Sequence, residues 1–261
     1  MNTVTIIKIG GNIIDDETQL SSFIKDFAQI NGAKILVHGG GKLATRVAEA
    51  MGIQQQMVEG RRMTDAGTLK VVTMVYAGYI NKNITAQLQA FACNAVGLSG
   101  ADGNLVKAHK RSISGIDYGF AGDVDVVNTA FIHQLLLQNM ALVVCAITHD
   151  ANGQLLNTNA DTIAQEIAKA MCRTYHVKLL YCFEKNGVLQ DATDDSSVIP
   201  IINETYFQQL KNAGIVSAGM IPKLQNAFTA LQSGVQQIKI GHAAQLNDML
   251  AGLAGTSITN E

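Results

Sequence analysis

The segment Val4-Thr5-Ile6-Ile7-Lys8-Ile9-Gly10-Gly11 is an apolar run that contains one lysine and ends in two glycines. It is too apolar for a strand with one solvated face, so it predicts a buried parallel strand. Similar runs occur at 34–38, 141–146, 176–183 and 237–240, and segments with helical periodicity lie between them. This alternation predicts an α/β fold in which helices cover a mainly parallel central sheet.

Three connecting segments carry further structural predictions. Apolar residues recur at helical spacing within residues 16–30, which predicts a helix there. Thr64 is suited to cap a long helix that would extend to Phe91. Gly, Ser and Asp interrupt residues 107–127, a pattern that predicts β-hairpins at the edge of the sheet.

The composition limits the class of protein. The 261 residues are 48% hydrophobic, which is enough for one large α/β unit or two joined lobes, and we place a lobe boundary near Thr174. Only 15% of the residues are charged and the net charge is −2, so the electrostatic signature of nucleic-acid binding is absent. The four cysteines form no C-x-x-C pair, and the N-terminal residues lack a signal-peptide pattern. We therefore expect a cytoplasmic protein.

Lys8 is unusual because it lies within an otherwise buried strand. A buried ammonium group is costly unless it is paired, although a lysine at a strand end can also extend into solvent. Gly10 and Gly11 would let a ligand approach the backbone closely. Ligands of open α/β sheets bind at the carboxyl ends of the strands, so this segment predicts a ligand site.

A second glycine-rich turn, Gly39-Gly40-Gly41, also follows a predicted strand and precedes a predicted helix. Backbone N–H groups and the helix dipole favour anions there, but a plain strand–helix connection is an equally common use of such a turn. It is neither a Walker motif nor a dinucleotide fingerprint. Arg61 and Arg62 follow in a loop, where a guanidinium can bind a carboxylate in bidentate fashion. We assign that role to Arg62 and consider Arg61 an exposed basic residue.

Polar residues at alternate positions precede another predicted helix. One of Asn157, Asn159 and Asp161 would suffice to cap it, and alternate residues of an extended segment face the same side. Asn157 and Asn159 are therefore candidate ligand-binding residues, and Asp161 is a candidate partner for cations. Lys223 lies in the first turn of a later helix, where it opposes the helix dipole, although a solvated surface lysine is the simpler interpretation. The histidines show no metal-binding spacing, and no metal site is predicted.

Taken in order, these segments resemble the acetylglutamate kinases, a branch of the amino-acid kinase family. The matching segments are 8–11, 38–41, 60–64, 81–82, 157–161 and 219–223. Each is weak alone, but their order and spacing match along nearly the whole chain. The resemblance implies an αβα sandwich whose N-terminal lobe (1–173) binds an acylglutamate and forms the dimer contact, and whose C-terminal lobe (174–261) binds ATP.

The resemblance also implies an activity: phosphorylation of the side-chain carboxylate of N-acetyl-L-glutamate by ATP, which brings Mg²⁺, in arginine biosynthesis. Lys8 and Lys223 would stabilise the migrating phosphoryl group, and Asp161 would orient both lysines. The residues that would hold the acylglutamate are Gly40, Gly41, Arg62, Asn157 and Asn159. Those that would bind the nucleotide are Gly10, Gly11, Glu184, Lys185, Asn186, Gly187, Val188, Leu189, Ile215, Val216 and Ser217.

Departures from the family pattern leave alternatives open. Phe183, Glu184, Lys185 and Ala218 differ from the residues usual in the nucleotide half. Arg61 would suit a second carboxylate, as on a succinyl group. Another amino-acid kinase, acting on aspartate, glutamate or carbamate, and a non-catalytic sensor of acylglutamate or nucleotide are the competing functions. The family's arginine-sensitive hexamers carry a long helix before the first strand, and since none precedes Val4 we expect an arginine-insensitive homodimer.

Overall fold

The computed structural model describes residues 1–58, 61–113, 115–216 and 219–260, and Arg61 by its backbone only. The strands are β1 (Thr3–Ile9), β2 (Ala33–His38), β3 (Gln56–Val58), β4 (Arg61–Met63), β5 (Ala95–Leu98), β6 (Val106–Ile113), β7 (Ile116–Val127), β8 (Ala141–Cys145), β9 (Ile147–His149), β10 (Leu155–Thr158), β11 (His176–Phe183), β12 (Ile201–Ile202), β13 (Gln237–His242) and β14 (Thr256–Ile258). The α-helices are α1 (Gly11–Asp15), α2 (Glu17–Gln29), α3 (Gly41–Ala50), α4 (Ala66–Thr73), α5 (Asn81–Ala90), α6 (Thr129–Leu137), α7 (Ala160–Met171), α8 (Glu204–Asn212), α9 (Ile221–Gln232) and α10 (Leu246–Ala251). Every helix in the described ranges is too short or too polar to cross a membrane.

The central sheet has the strand order β12-β14-β13-β11-β1-β2-β8-β5 in the part of the chain that the structure describes. Its neighbouring strands pair in parallel except for β13 and β14, which pair antiparallel. Val4, Ile6, Ile7 and Ile9 of β1 are completely buried, as expected for a strand whose two faces are both covered. The predicted α/β fold with a mainly parallel sheet is confirmed.

The register of the sheet brings the glycine-rich turns to one edge. Ile9 at the end of β1 lies beside His38 of β2 and Cys182 of β11, and His38 lies beside Cys145 of β8. The segments that follow these residues therefore leave the sheet together. This edge, at the carboxyl ends of the parallel strands, is where ligands of such sheets bind.

The hairpin predicted over residues 107–127 exists, but its predicted place at the edge of the central sheet is wrong. Strands β6 and β7 pair antiparallel and join β9 and β10 in a separate, closed four-stranded barrel. The β6–β7 pairing changes register between Lys107 and Ala108 and again between Lys110 and Ser112. Such irregularities bend and twist a strand pair, which favours closure into a small barrel over extension of a flat edge.

The long helix predicted after Thr64 is present, with two differences. Asp65, not Thr64, is its N-cap, because the Asp65 side chain accepts a hydrogen bond of 2.6 Å from Thr68 N. Residues Met74–Ile80 between α4 and α5 are π-helical. A π-helical turn holds more residues than an α-helical one, so it changes which side chains share a face, and such segments are frequent at functional sites.

Among the strands and α-helices of the described residues, five short elements were not predicted: α1, which begins at Gly11, and the two-to-four-residue strands β9, β10, β12 and β14. Each has too few residues for a periodic pattern to be recognised. The proposed lobe boundary at Thr174 lies between α7 and β11. The division into lobes 1–173 and 174–261 stays a prediction, since β11 pairs directly with β1 in one sheet.

Candidate active site

The three residues predicted to act on the phosphoryl group lie together. Lys8 Nζ is 2.8 Å from Asp161 Oδ1, and Lys223 Nζ is 3.4 Å from Asp161 Oδ2. The side chains of Lys8, Asp161 and Lys223 are 13%, 12% and 28% exposed. Lys8 is therefore a mostly buried, paired lysine, and Lys223 reaches it from a helix that is more than 200 residues away in the sequence.

Asp161 is held in its ionised form by the two lysines. Its burial acts to raise the pKa, but the ammonium groups of Lys8 and Lys223 outweigh burial and keep the pKa of Asp161 below its ordinary value. Two ammonium groups and one carboxylate leave the cluster with a net charge of about +1 at neutral pH. Such a site is suited to an anion that carries several negative charges, such as a phosphoryl group in transfer.

The start of α7 explains how Asp161 is placed. Asn159 is the N-cap of this helix, and its Oδ1 accepts hydrogen bonds from Asp161 N at 2.8 Å and Thr162 N at 3.2 Å. The capping function considered for the Asn-x-Asn-x-Asp segment is thus present, and Asn159 supplies it. Asp161 follows in the first turn, where the helix dipole favours a negative charge and the carboxylate faces β1.

A cavity of about 190 Å³ extends to Ala160, which directly precedes Asp161, and is lined by all five residues predicted to hold an acylglutamate. It lies between the Gly39–Gly41 turn, the β3–β4 hairpin, the barrel and the start of α7. Its lining comprises Gly39, Gly40, Gly41, Met57, Arg62, Tyr76, Ala121, Gly122, Ala146, Asn157, Thr158, Asn159 and Ala160. We call it the acceptor cavity.

Arg62 forms one wall of the acceptor cavity. Its Nη2 donates hydrogen bonds of 2.9 Å to Gly41 O and to Thr45 Oγ1, and its Nη1 donates to Gln55 Oε1. The guanidinium is thereby fixed next to the glycine turn and the start of α3. This position supports the clamping function predicted for Arg62. The side chain of Arg61 lies outside the described residues, so its proposed contact with a second carboxylate stays a prediction.

Gly40 requires the absence of a side chain. Its φ of +144° is a conformation that residues with a Cβ rarely adopt. A Cβ at this position would overlap with Ile80 Cδ1 and would lie 3.2 Å from Tyr76 Cδ1. Gly40 is also the N-cap of α3, so the backbone N–H groups at the start of that helix border the cavity.

Two functional candidates at this site were missed: Thr64, which bonds two residues of the cavity lining, and Tyr76, which lines the cavity itself. Thr64 Oγ1 accepts a hydrogen bond of 3.0 Å from Asn157 Nδ2 and donates one of 3.1 Å to Arg62 O, so it joins two predicted binding residues. Tyr76 lines the cavity from the π-helical segment, and burial raises the pKa of its phenol. Tyr76 lies at helical spacing from the apolar Leu69 and Val72, and this spacing alone indicates only that it packs in the core.

A second cavity, of about 110 Å³, brings together two segments predicted to bind nucleotide. Ala192 and Met220 belong to its lining and were not predicted. The complete lining is Lys185, Gly187, Val188, Leu189, Ala192, Ile215, Val216 and Met220. It is mainly apolar, as a pocket for an adenine base would be. We call it the nucleotide cavity.

The other predicted nucleotide-binding residues lie elsewhere. Gly10 directly follows β1, where its N–H donates to Cys182 O at 3.2 Å, and Gly11 begins α1. Glu184 directly follows β11, and Asn186 Nδ2 donates a hydrogen bond of 3.0 Å to Asp195 O. None of these four belongs to the described lining of the nucleotide cavity. Ser217, like Ala218, lies outside the described residues.

The unusual Lys185 has a charged partner: its Nζ lies 2.7 Å from Asp195 Oδ1 in a largely exposed pair.

Comparison with known proteins decides the family. Residues 3–242 match the model of the amino acid kinase family. The chain belongs to this family. An acetylglutamate kinase from Phocaeicola vulgatus is 52% identical over 245 residues, which is 94% of this chain and 95% of that relative. An acetylglutamate kinase from Cytophaga hutchinsonii is 53% identical over 251 residues, which is 96% of this chain and 95% of that relative.

The fold of this amino acid kinase is also found in solved structures. N-acetylglutamate synthase from Neisseria gonorrhoeae, complexed with coenzyme A and N-acetyl-glutamate, superposes with a TM-score of 0.84 at 23% identity. The match covers 99% of this chain and 60% of that one, so this chain spans less than two thirds of the synthase, and the likeness concerns the fold alone. The predictions of the fold class and of a kinase from this family are confirmed.

Proposed function

We propose that this protein transfers the γ-phosphoryl group of ATP to the side-chain carboxylate of N-acetyl-L-glutamate, a step of arginine biosynthesis. The observation that carries the proposal is the convergence of Lys8 and Lys223 on Asp161 next to the acceptor cavity. The relatives named acetylglutamate kinase, which are about half identical over nearly the whole chain, support the choice of acceptor.

The reaction requires no general base. A γ-carboxylate is already ionised at neutral pH, so the acceptor is ready to attack. The transition state of phosphoryl transfer is loose, and catalysis consists of alignment and charge stabilisation. Lys8 and Lys223 approach from β1 and α9, so their ammonium groups would neutralise the transferred group from two sides, and Asp161 would keep them oriented.

The acceptor cavity supplies the alignment. The Arg62 guanidinium, fixed on Gly41 O and Thr45 Oγ1, would pair with a carboxylate of the acceptor. The N–H groups at the start of α3 would bind a second anionic group, either the attacking carboxylate or the phosphoryl oxygens. Asn157 and Asn159 also line the cavity, and their side-chain amides would bind the polar N-acyl amide.

ATP would bring Mg²⁺, which neutralises charge on the β- and γ-phosphates when bound. Protein sites for Mg²⁺ on nucleotides use few carboxylates and rely on the phosphates. Asp161 fits the task of orienting lysines better than that of binding metal, because each of its oxygens already lies next to an ammonium group. The apolar nucleotide cavity would hold the base, with Val188 and Ile215 as packing surfaces.

The proposal extends to the organisation of the protein. We propose that residues 1–173 carry the acceptor site and the contact of a cytoplasmic homodimer, and that residues 174–261 carry the ATP site. Residues between 39 and 160 line the acceptor cavity, and residues between 185 and 220 line the nucleotide cavity, which supports the assignment of the two sites to the two lobes.

A substrate screen tests the function. ADP release would be measured with N-acetylglutamate, N-succinylglutamate, glutamate, aspartate and carbamate, and hydroxylamine would trap the acyl phosphate product. We expect turnover with N-acetylglutamate and trapping of its hydroxamate. Faster turnover of N-succinylglutamate would replace the acetyl group in the proposal with the succinyl group. Binding of N-acetylglutamate and ATP without ADP release would support a sensor in place of a kinase.

A further inference from the structure

His38 is a completely buried polar residue beside the acceptor cavity for which the reaction scheme above has no use. It ends β2 and immediately precedes the Gly39–Gly41 turn. Both of its ring nitrogens have partners: Nδ1 lies 2.9 Å from Gly39 O, and Nε2 lies 3.1 Å from Asn81 Nδ2. A buried imidazole with two hydrogen-bond partners is held in one orientation.

The surrounding hydrogen bonds determine which ring nitrogen carries the proton. Asn81 Nδ2 donates to Val143 O at 2.9 Å, and Asn81 Oδ1 accepts from Lys82 Nζ at 3.1 Å, so the amide orientation is defined. Because Nδ2 can only donate, His38 Nε2 must accept. The proton therefore lies on Nδ1 and is donated to Gly39 O. Lys82, Asn81, His38 and Gly39 form one chain of hydrogen bonds with a single direction.

Strand β5 leaves space for this chain of hydrogen bonds at Gly97. A Cβ at Gly97 would overlap with Asn81 Oδ1 and would lie 2.6 Å from Thr85 Oγ1. Gly97 O also accepts a hydrogen bond of 2.7 Å from Lys82 Nζ. The position of the Asn81 side chain therefore requires glycine at position 97 of the neighbouring strand β5.

The peptide between Gly39 and Gly40 connects this chain to the acceptor cavity. It is trans, as are all described peptides, so its C=O and N–H point in opposite directions. Holding Gly39 O against the His38 ring therefore directs the Gly40 N–H away from the ring. Gly40 lines the acceptor cavity. We propose that His38 is a positioning residue that directs the Gly40 N–H at the anionic group in the acceptor cavity, an inference that rests on the proposed function.

The charge state of His38 agrees with this task. The pKa of His38 is lowered to about 4, because burial and, to a smaller extent, the nearby Lys82 ammonium lower it by more than the hydrogen bond to Gly39 raises it. The thiol of Cys145, its neighbour on β8, has a pKa raised by burial to about 12 and stays neutral. At neutral pH the ring is therefore uncharged, and Nε2 remains an acceptor for Asn81. Protonation of His38 Nε2 would direct its N–H at the Asn81 Nδ2 group, which is also a donor.

Two substitutions separate positioning from packing. His38→Asn places an amide N–H near the position of Nδ1 and retains the donor to Gly39 O, whereas His38→Leu fills similar space without any donor. We expect His38→Leu to lower kcat on N-acetylglutamate on the order of 10²-fold, as for a misplacement of about 1 Å. His38→Asn should recover at least about ten-fold of this loss. His133→Leu is the matched control. The His133 ring forms a hydrogen bond of 2.8 Å with Tyr175 OH, and His133 does not belong to the described lining of the acceptor cavity, so this variant should keep wild-type kcat.

Two NMR readouts do not depend on activity. The imidazole nitrogens of wild-type His38 should show the Nδ1–H tautomer at neutral pH, and the Gly40 amide resonance should shift in His38→Leu and return towards its wild-type position in His38→Asn. An Nε2–H tautomer, an unshifted Gly40 amide in His38→Leu, or equal kcat losses in the two variants would overturn the inference. If wild type fails to turn over N-acetylglutamate, the proposed function fails, and the two NMR readouts still decide whether His38 orients the Gly40 peptide.

Discussion

Gly40 is the position at which one added methyl group should most disturb the acceptor cavity. At its φ of +144° a residue with a Cβ is strained by about 1–3 kcal/mol. The new Cβ would also overlap with Ile80 Cδ1 and crowd Tyr76 Cδ1 at 3.2 Å, and overpacking of this kind costs about 1–3 kcal/mol. We therefore expect Gly40→Ala to lower the free energy of unfolding by about 2–6 kcal/mol.

Gly52→Ala is the matched control for this prediction. Gly52 has a φ of +73°, and a Cβ there would meet nothing within 4 Å. This substitution carries the conformational strain alone, about 1–2 kcal/mol, and should leave turnover unchanged. Gly40→Ala should in addition raise the KM for N-acetylglutamate or lower kcat, because the glycine turn must move by a substantial fraction of an ångström.

Urea denaturation and a coupled ADP-release assay would measure both effects. A double-mutant cycle with Ile80→Ala isolates the overlap: in that background Gly40→Ala should cost about 1–2 kcal/mol less than in wild type, because the methyl group then has space. Equal destabilisation by Gly40→Ala and Gly52→Ala, or no coupling to Ile80, would refute the packing argument for this turn.

Two further predictions concern the walls of the acceptor cavity. Arg62→Lys keeps the charge but loses the two hydrogen bonds to Gly41 O and Thr45 Oγ1. Steady-state kinetics should therefore show a roughly 10–100-fold higher KM for N-acetylglutamate and an unchanged KM for ATP. A matching rise in both KM values would contradict the function assigned to Arg62. For His38, the folded-state pKa of about 4 lies below the ordinary 6.5, so the unfolded chain binds the extra proton first as pH falls. The free energy of unfolding should drop by up to about 3 kcal/mol from pH 6.5 to pH 4. Urea titrations over this range should show a flatter profile for His38→Asn, and parallel profiles would disprove a buried neutral ring.

The edge of the sheet that carries the site was predictable from the sequence. Parallel strands end at the same edge, so apolar runs followed by Gly10–Gly11 and Gly39–Gly41 had to bring their turns together. A lysine in a buried strand needs a partner, and Asp161, at the start of a helix, is that partner. Strand direction and the need of a buried charge for a partner are visible in local sequence, whereas the pairing of Lys8 with Asp161 was implied by the family resemblance.

Other features depend on information that local patterns lack. Hairpin periodicity shows that residues 107–127 pair with each other, but not which other strands they join. Thr64 and Asp65 both suit an N-cap, and only the structure shows that Asp65 caps while Thr64 binds Asn157. Tyr76 follows a helical spacing of 3.6 residues in the sequence, and a π-helical segment turns it towards the acceptor cavity.

The most direct test of the account is the turnover of Lys8→Ala and Lys223→Ala, measured together with their affinity for N-acetylglutamate. Lys169→Ala is the control, since Lys169 forms a partly exposed pair with Glu166 on the same helix as Asp161. We predict that each of the two variants lowers kcat by roughly 10²–10³-fold and changes the dissociation constant of N-acetylglutamate only slightly. Near-wild-type kcat in both variants would contradict the claim that two converging ammonium groups stabilise the transferred phosphoryl group.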